Sequence, residues 1–415
     1  MKTRNAWFWV PSLYFAEGLP YVIVMTLSVI MYKRLDISNT EIALYTSWLY
    51  FPWVIKPLWS PFVDLLRTKR WWIVCMQMLL GGGMAGIAFA IPTDFFLQAT
   101  LAFLWLMAFS SATHDIAADG FYMLGLDEEK QAFFIGIRST FYRIAMLTGQ
   151  GLLVMFAGWL ELSTGNIAKA WSLVFAVAAV AFLGVALWHK LMLPKPAEDV
   201  QHMDSTIGSI AHEFGNTFRT FFQKPGIIPA VLFMLTFRLG ESQLVKLSSP
   251  FLLDTRDVGG LGLTTAQVGF TYGSIGVVCL LLGGILGGVS IAKGGGLKRW
   301  MVPMALAVSL PNLVYLYMAY ALPESLVVVN VCVGIEQFGY GFGFTAYMMY
   351  LMQFSEGSFK TSHYALCTGV MALGMMLPGM VSGAIQEWVG YQQFFVWVML
   401  CCIPVFAVLP FMKYK

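Results

Sequence analysis

The 415 residues carry only 11% charged side chains against 58% hydrophobic ones, and the mean hydropathy is +0.72. Soluble domains carry roughly 25% charged residues, so a water-soluble chain of this length would lack the polar surface to cover itself. Membrane spans of roughly 20 apolar residues are the expectation instead, and the formal net charge of +3 decides nothing until its placement is known.

Lys2 and Arg4 precede an apolar run that starts like a signal peptide. The run continues past Glu17 to Met31 without a clear small-residue cleavage site, so it reads as a retained first span. Twelve spans follow from the hydropathy, at about 7–31, 40–63, 71–91, 97–124, 132–160, 169–192, 226–252, 265–292, 300–320, 326–353, 362–386 and 391–411. The gaps are short except for 193–225, where an amphipathic helix is expected with Ile207, Ile210, Phe214, Phe218, Phe221 and Phe222 on its apolar face. The expected organisation is therefore an N-terminal six-helix bundle (1–192), a linker (193–225) and a C-terminal six-helix bundle (226–415): an all-α membrane protein.

Charge placement orients these spans. With the N-terminus inside, sixteen Lys and Arg fall in cytoplasmic segments and four (Lys33, Arg34, Lys169 and Arg256) on the other side. Shifting the spans by one helix destroys that bias, so both termini and the linker are expected in the cytoplasm. The loops after the second and eighth spans, PLWSPFVDLLRTKR (57–70) and GGILGGVSIAKGGGLKR (283–299), both end in paired bases and read as corresponding pieces of two related bundles.

Ionisable side chains inside a span cost roughly 2.5–3.5 kcal/mol each on insertion scales, so they must face a cavity or one another. Glu17 stands beside Gly18, with Pro20 opening the helix one turn later. Lys56, flanked by Pro52, Pro57 and Pro61, and Asp64 beyond it read as gating or snorkelling residues near the cytoplasmic end. The run SSATHDIAADG (110–120) places Asp115 and Asp119 one turn apart on one face of the fourth span, with His114 as a possible proton relay. Arg138 and Arg143 on the fifth span come back against these acids in a helical hairpin. In the seventh span Arg238 and Glu241 are three apart and able to pair within the helix, whereas Lys246 has no obvious local partner and is a candidate anion contact. In the tenth span Glu336, Tyr340 and Tyr347 accompany four glycines in GIEQFGYGFGFTAYMMY (334–350), an arrangement suited to a polar organic ligand or to close helix packing.

The six cysteines have neither zinc nor haem spacing. GGILGG and KGGGLK lack the GxxxxGK[ST] phosphate loop, and no TVGYG-like filter suggests a channel. No catalytic residue, metal, cofactor or nucleic-acid partner is expected.

YFAEGLPY (14–21), KPLWSPFVD (56–64), HDIAADGFYML (114–124), IRSTFYRIAML (137–147) and GGILGG…KR (283–299) carry a family likeness. The chain resembles the major facilitator superfamily, and within it the group of AmpG-type muropeptide permeases, acetyl-coenzyme A transporters and siderophore permeases. The resemblance implies two six-helix bundles with alternating access and proton-coupled uptake, in a bacterial inner membrane. Carried over, the first-helix acid of that group matches Glu17, its fourth-helix acids match Asp115 and Asp119, and its fifth-helix arginine matches Arg143. The loop after Asp64 departs from the superfamily pattern by reading LLRTKR without its glycine, and His114 replaces the usual polar residue before the first acid.

The resulting expectation is a secondary transporter, not an enzyme, that couples protons to uptake of a polar, anionic organic solute such as a muropeptide. Asp119, Asp115, Glu17 and His114 are the expected proton-coupling set. Arg143, Arg138, Lys246, Arg238, Glu241, Glu336, Tyr340 and Tyr347 are the expected substrate set, and Asp64 and Lys56 the gating pair. An exporter or facilitator of a siderophore, drug or acyl-nucleotide, a non-transporting sensor and a membrane enzyme are the rival readings.

Overall fold

The computed structural model describes residues 5–197, 199, 207–357 and 359–414; the side chains of 64, 65, 128, 132, 135 and 207–214 lie outside that description. Every regular element among the described residues is helical. Ten helices are long and apolar enough to cross a membrane: Ala6–Arg34, Lys69–Ala90, Phe96–Gly125, Glu129–Thr164, Ile167–Met192, Ile227–Leu253, Thr265–Lys293, Leu297–Ala321, Leu326–Ser355 and Lys360–Phe411.

Two local interruptions reconcile these ten with the twelve expected spans. The second span is present as two shorter helices, Asn39–Trp48 and Phe51–Leu66. Pro52 has no N–H to offer the carbonyl of Trp48, so the ladder breaks between the two pieces. The last two spans run together as Lys360–Phe411, but Gly390 (φ 78, ψ 167) turns the chain between them, at the predicted gap.

Short polar side chains start many of the helices. Ser38, Thr68, Asp127 and Asn166 each accept a hydrogen bond from the backbone N–H three residues on, and Thr264 forms a reciprocal capping box with Gln267. Wide π-helical turns occupy Ile23–Leu27, just after Pro20, and also Leu147–Leu153 and Gly269–Gly276. Such turns recur in helices at functional positions.

The chain forms two compact units. The first comprises Met1–Met31 and Leu58–Ile210, the second Tyr32–Pro57 and Ala211–Lys415. In the first unit, Trp9, Leu13, Tyr14, Ile73 and Phe121 form a buried core. The first and fifth spans approach closely at Gly18, where a Cβ would lie 2.9 Å from the carbonyl oxygen of Tyr142.

In the second unit the core gathers Phe233, Phe237, Met301, Met304 and Tyr347, and Phe221 of the linker helix (Ile207–Phe222) is buried in it. Phe218 packs at the edge of that core while Phe222 is exposed; the side chains of Ile207, Ile210 and Phe214 lie outside the described residues. His363 is buried with its Nε2 3.1 Å from Thr220 Oγ1 of the linker helix.

Segment 32–57 packs along the eleventh span on a row of small residues. A Cβ at Gly383 would sit 2.0 Å from Asn39 O, and one at Gly379 would sit 2.6 Å from Ser47 Oγ. Backbones this close require glycine. Gly383→Val is accordingly expected to destabilise the fold by about 1–3 kcal/mol, the usual range for overpacking. A lowered midpoint of thermal unfolding in detergent would bear this out, and an unchanged one would contradict the close crossing.

Candidate transport site

The first unit concentrates its charge where the first, fourth and fifth spans meet. Asp119 Oδ1 accepts from Arg138 Nη2 at 2.7 Å and from the Tyr14 hydroxyl at 3.2 Å. The Arg138 guanidinium also lies over the rings of Tyr14 and Tyr122, at 4.3 and 5.2 Å. Glu17, one turn from Tyr14 and half-buried, is within electrostatic reach of Arg138. The side chain of Asp119 is 43% exposed, so the pair remains reachable from solvent. The helical hairpin expected to bring Arg138 to the fourth-span acids is thus present. Arg143, five residues further on, is half-buried and has no carboxylate partner among the described residues.

His114 is turned into a different network. Gln77 Nε2 lies 2.9 Å from His114 Nε2, Gln77 Oε1 lies 2.9 Å from His189 Nδ1, and His189 Nε2 lies 2.9 Å from Ser12 Oγ. An amide nitrogen can only donate and an amide oxygen only accept, which fixes the polarity of the chain. Ser12 donates to His189, His189 to Gln77, and Gln77 to His114. His114 therefore carries its proton on Nδ1, an atom with no hydrogen-bond partner, and is 1% exposed. Ser12, Gln77 and His189, from three other spans, were not singled out from the sequence. Only their polarity within apolar runs marked them.

In the second unit the seventh span is interrupted: one helix, Ile227–Thr236, ends before another, Leu239–Leu253, begins, with Arg238 at the junction (φ −110, ψ 17). The Arg238 guanidinium donates to the Tyr340 hydroxyl at 2.6 Å and lies over the Tyr340 and Phe344 rings at 5.2 and 5.1 Å. Glu241 Oε1 and Oε2 accept no hydrogen bond, and Arg238, within electrostatic reach of Glu241, directs its hydrogen bond to the tenth span. Gly240 allows the close approach of the twelfth span at this break, since a Cβ there would lie 2.9 Å from Val398 O.

Lys246 is 1% exposed, its Nζ donating to Thr46 Oγ1 at 2.9 Å and lying 5.3 Å from the Tyr50 ring. Glu336 is 2% exposed and accepts from Gln337 Nε2. Tyr347 donates to Met234 O at 2.8 Å and stacks on Phe237, a buried position in the core. Lys56 is half-buried on Phe51–Leu66, and the side chain of Asp64 lies outside the described residues.

A further polar network was not anticipated. Lys33 pairs with Asp254 at 2.7 Å, Tyr391 donates to Asp254 Oδ2 at 2.6 Å, and Asn39 Nδ2 donates to Gln386 Oε1 at 2.6 Å. From the sequence Lys33 reads only as a cation on the non-cytoplasmic side. Its partner lies 221 positions along the chain, where no local pattern reveals it.

The family described as Major Facilitator Superfamily matches residues 12–358. The chain belongs to the major facilitator superfamily. It is a multi-pass membrane transporter of that superfamily. "Putative transporter AmpG 4" of Rickettsia conorii is 24% identical over 419 residues, covering 96% of this chain and 94% of that protein. "Anhydromuropeptide permease" of Escherichia coli K12 is 24% identical over 399 residues, covering 94% of this chain and 76% of that protein. Among solved structures, a D-xylose–proton symporter aligns with a TM-score of 0.75 at 11% identity, covering 99% of this chain and 97% of its own. That likeness bears on the fold alone.

Proposed function

We propose that this superfamily member is a proton-coupled symporter that takes up a polar, anionic organic solute of the muropeptide class. It works in a bacterial inner membrane with both termini in the cytoplasm, the orientation that the sixteen-to-four distribution of cations favours. The observation that carries the reading is the Asp119–Arg138 pair. An acid and a guanidinium, partly open to water and braced by Tyr14, form a unit that can exchange partners. When Asp119 takes a proton, Arg138 loses its counter-charge and is available to an anionic group of the substrate. Arg143 and Lys246 are further cations for such a solute, and Arg238 presents its guanidinium beside Tyr340. Asp115 and Glu17 extend the acidic set from which the coupling proton is drawn. The solute class is supported by the likeness to the anhydromuropeptide permease over nearly the whole chain.

The test is uptake into proteoliposomes of labelled cell-wall peptides, siderophores and acyl-nucleotides, with and without an imposed inward proton gradient. Accumulation of a muropeptide only with the gradient is the expected result. Flux of a panel member that ignores the gradient would replace symport by facilitation, and binding without flux would make the chain a sensor.

A further inference from the structure

The seventh and tenth spans bury two carboxyl groups in the second unit. Glu241 and Glu336 are each 2% exposed and face one another closely enough to interact electrostatically. Both oxygens of Glu241 lack a hydrogen-bond partner. Glu336 accepts from the Gln337 amide, at 2.9 Å to Oε2 and 3.2 Å to Oε1.

The groups around them give Glu241 no hydrogen bond. From the ninth span come Asn312 and Tyr315, both buried, whose Oδ1 and hydroxyl oxygen also have no partner. From the eighth comes Tyr272, whose hydroxyl accepts from Gln337. From the twelfth comes Cys402, a thiol within electrostatic reach of Glu241. Of the two cations of the seventh span, Arg238 donates to Tyr340 while staying within electrostatic reach of Glu241, and Lys246 donates to Thr46. Three oxygens here, two on Glu241 and one on Asn312, are acceptors waiting for a donor. Burying an ionised carboxylate without donors costs far more than burying a neutral acid, and two such ions repel. A carboxyl proton supplies a donor to this donor-poor cluster and removes the repulsion in one step.

We propose that Glu241 and Glu336 form a proton-binding carboxyl pair that holds a proton in the conformation described here and gives it up as the transport cycle turns. The first part stands on burial and unmet acceptors; the second rests on the proton-coupled reading above. The chemistry is a simple protonation, carboxylate plus proton giving carboxylic acid, with no other reactant.

Infrared spectroscopy of the purified protein in lipid tests it directly, because a protonated carboxyl has a carbonyl stretch distinct from that of a carboxylate. The expected result is a protonated-carboxyl band at neutral pH that is lost in Glu241→Gln or Glu336→Gln, each eluting as a monodisperse species. A band that survives in both variants overturns the proposal, as does a spectrum with only ionised carboxylates that responds to added sodium. Transport separates this inference from the functional reading. If wild-type protein accumulates solute with the gradient, E241Q should lose that accumulation; retention at the wild-type level removes the pair from coupling. If wild-type protein ignores the gradient while the band is present and lost in E241Q, symport fails and the proton site stands.

Discussion

Asp119→Asn is expected to abolish gradient-driven accumulation while leaving the protein inserted and folded. Asp119 accepts hydrogen bonds from both Arg138 and Tyr14, at 2.7 and 3.2 Å. An asparagine there still accepts both hydrogen bonds, so the local packing is kept and only the exchangeable charge is lost. The partial exposure of both partners limits what the pair contributes to stability, to about 0–1 kcal/mol for solvent-reachable pairs. The transport effect should be much larger. A solute no longer linked to the proton gradient only equilibrates, so the accumulation ratio should fall to about one. Measured side by side, a small change in unfolding temperature and a large change in accumulation would identify the acid as part of the coupling machinery. Unchanged gradient-driven uptake in well-folded D119N would remove it.

Lys246→Met is expected to separate function from stability in the opposite sense. The ammonium group is buried with one hydroxyl and one ring face, and it has no carboxylate partner among the described residues. Burial of a charge so sparsely compensated opposes folding, and an apolar side chain of similar length is often neutral or stabilising in such places. Thr46 loses nothing essential, because its hydroxyl already donates to Ile42 O at 2.7 Å. K246M should therefore unfold at the same temperature or higher. If Lys246 meets an anionic group of the solute, affinity should fall by about 2 kcal/mol or more, roughly thirty-fold in Kd. Binding isotherms with the transported solute decide it. Wild-type affinity in a less stable K246M protein would make Lys246 a structural residue.

The spans were legible because hydropathy acts locally: twenty consecutive residues suffice to predict a helix long enough to cross the bilayer. Pro52 and Gly390 explain the two places where the helices divide or run on differently from the reading, and both are punctuation visible in the sequence. The break at Arg238 was not visible in that way. A helix read through 226–252 pairs Arg238 with Glu241. The structure leaves the two within electrostatic reach and adds a hydroxyl and two ring faces from the tenth span to the guanidinium, contacts that no window of the seventh span contains. The Ser12–His189–Gln77–His114 chain escaped for the same reason. Each member is one polar residue in a different apolar run, and only packing makes them neighbours. Asp119 and Arg138 were found because hairpin geometry brings them together over a short length of chain, whereas Arg143, read from the same hairpin, has no carboxylate partner among the described residues.

The membership of residues 32–57 in the second unit has a practical meaning for anyone who would cut this protein in two. The linker invites a split into two co-expressed polypeptides, yet a fragment starting at Ala211 would leave behind the stretch that lies on Gly379 and Gly383 and that supplies Lys33, Asn39 and Thr46 to Asp254, Gln386 and Lys246. Such a fragment carries the complete sequence of its own six spans and still lacks part of its interior. Its partner polypeptide would have to donate that part before the fragment could be recovered as a folded species, so the fragment should be obtainable with its partner and not alone.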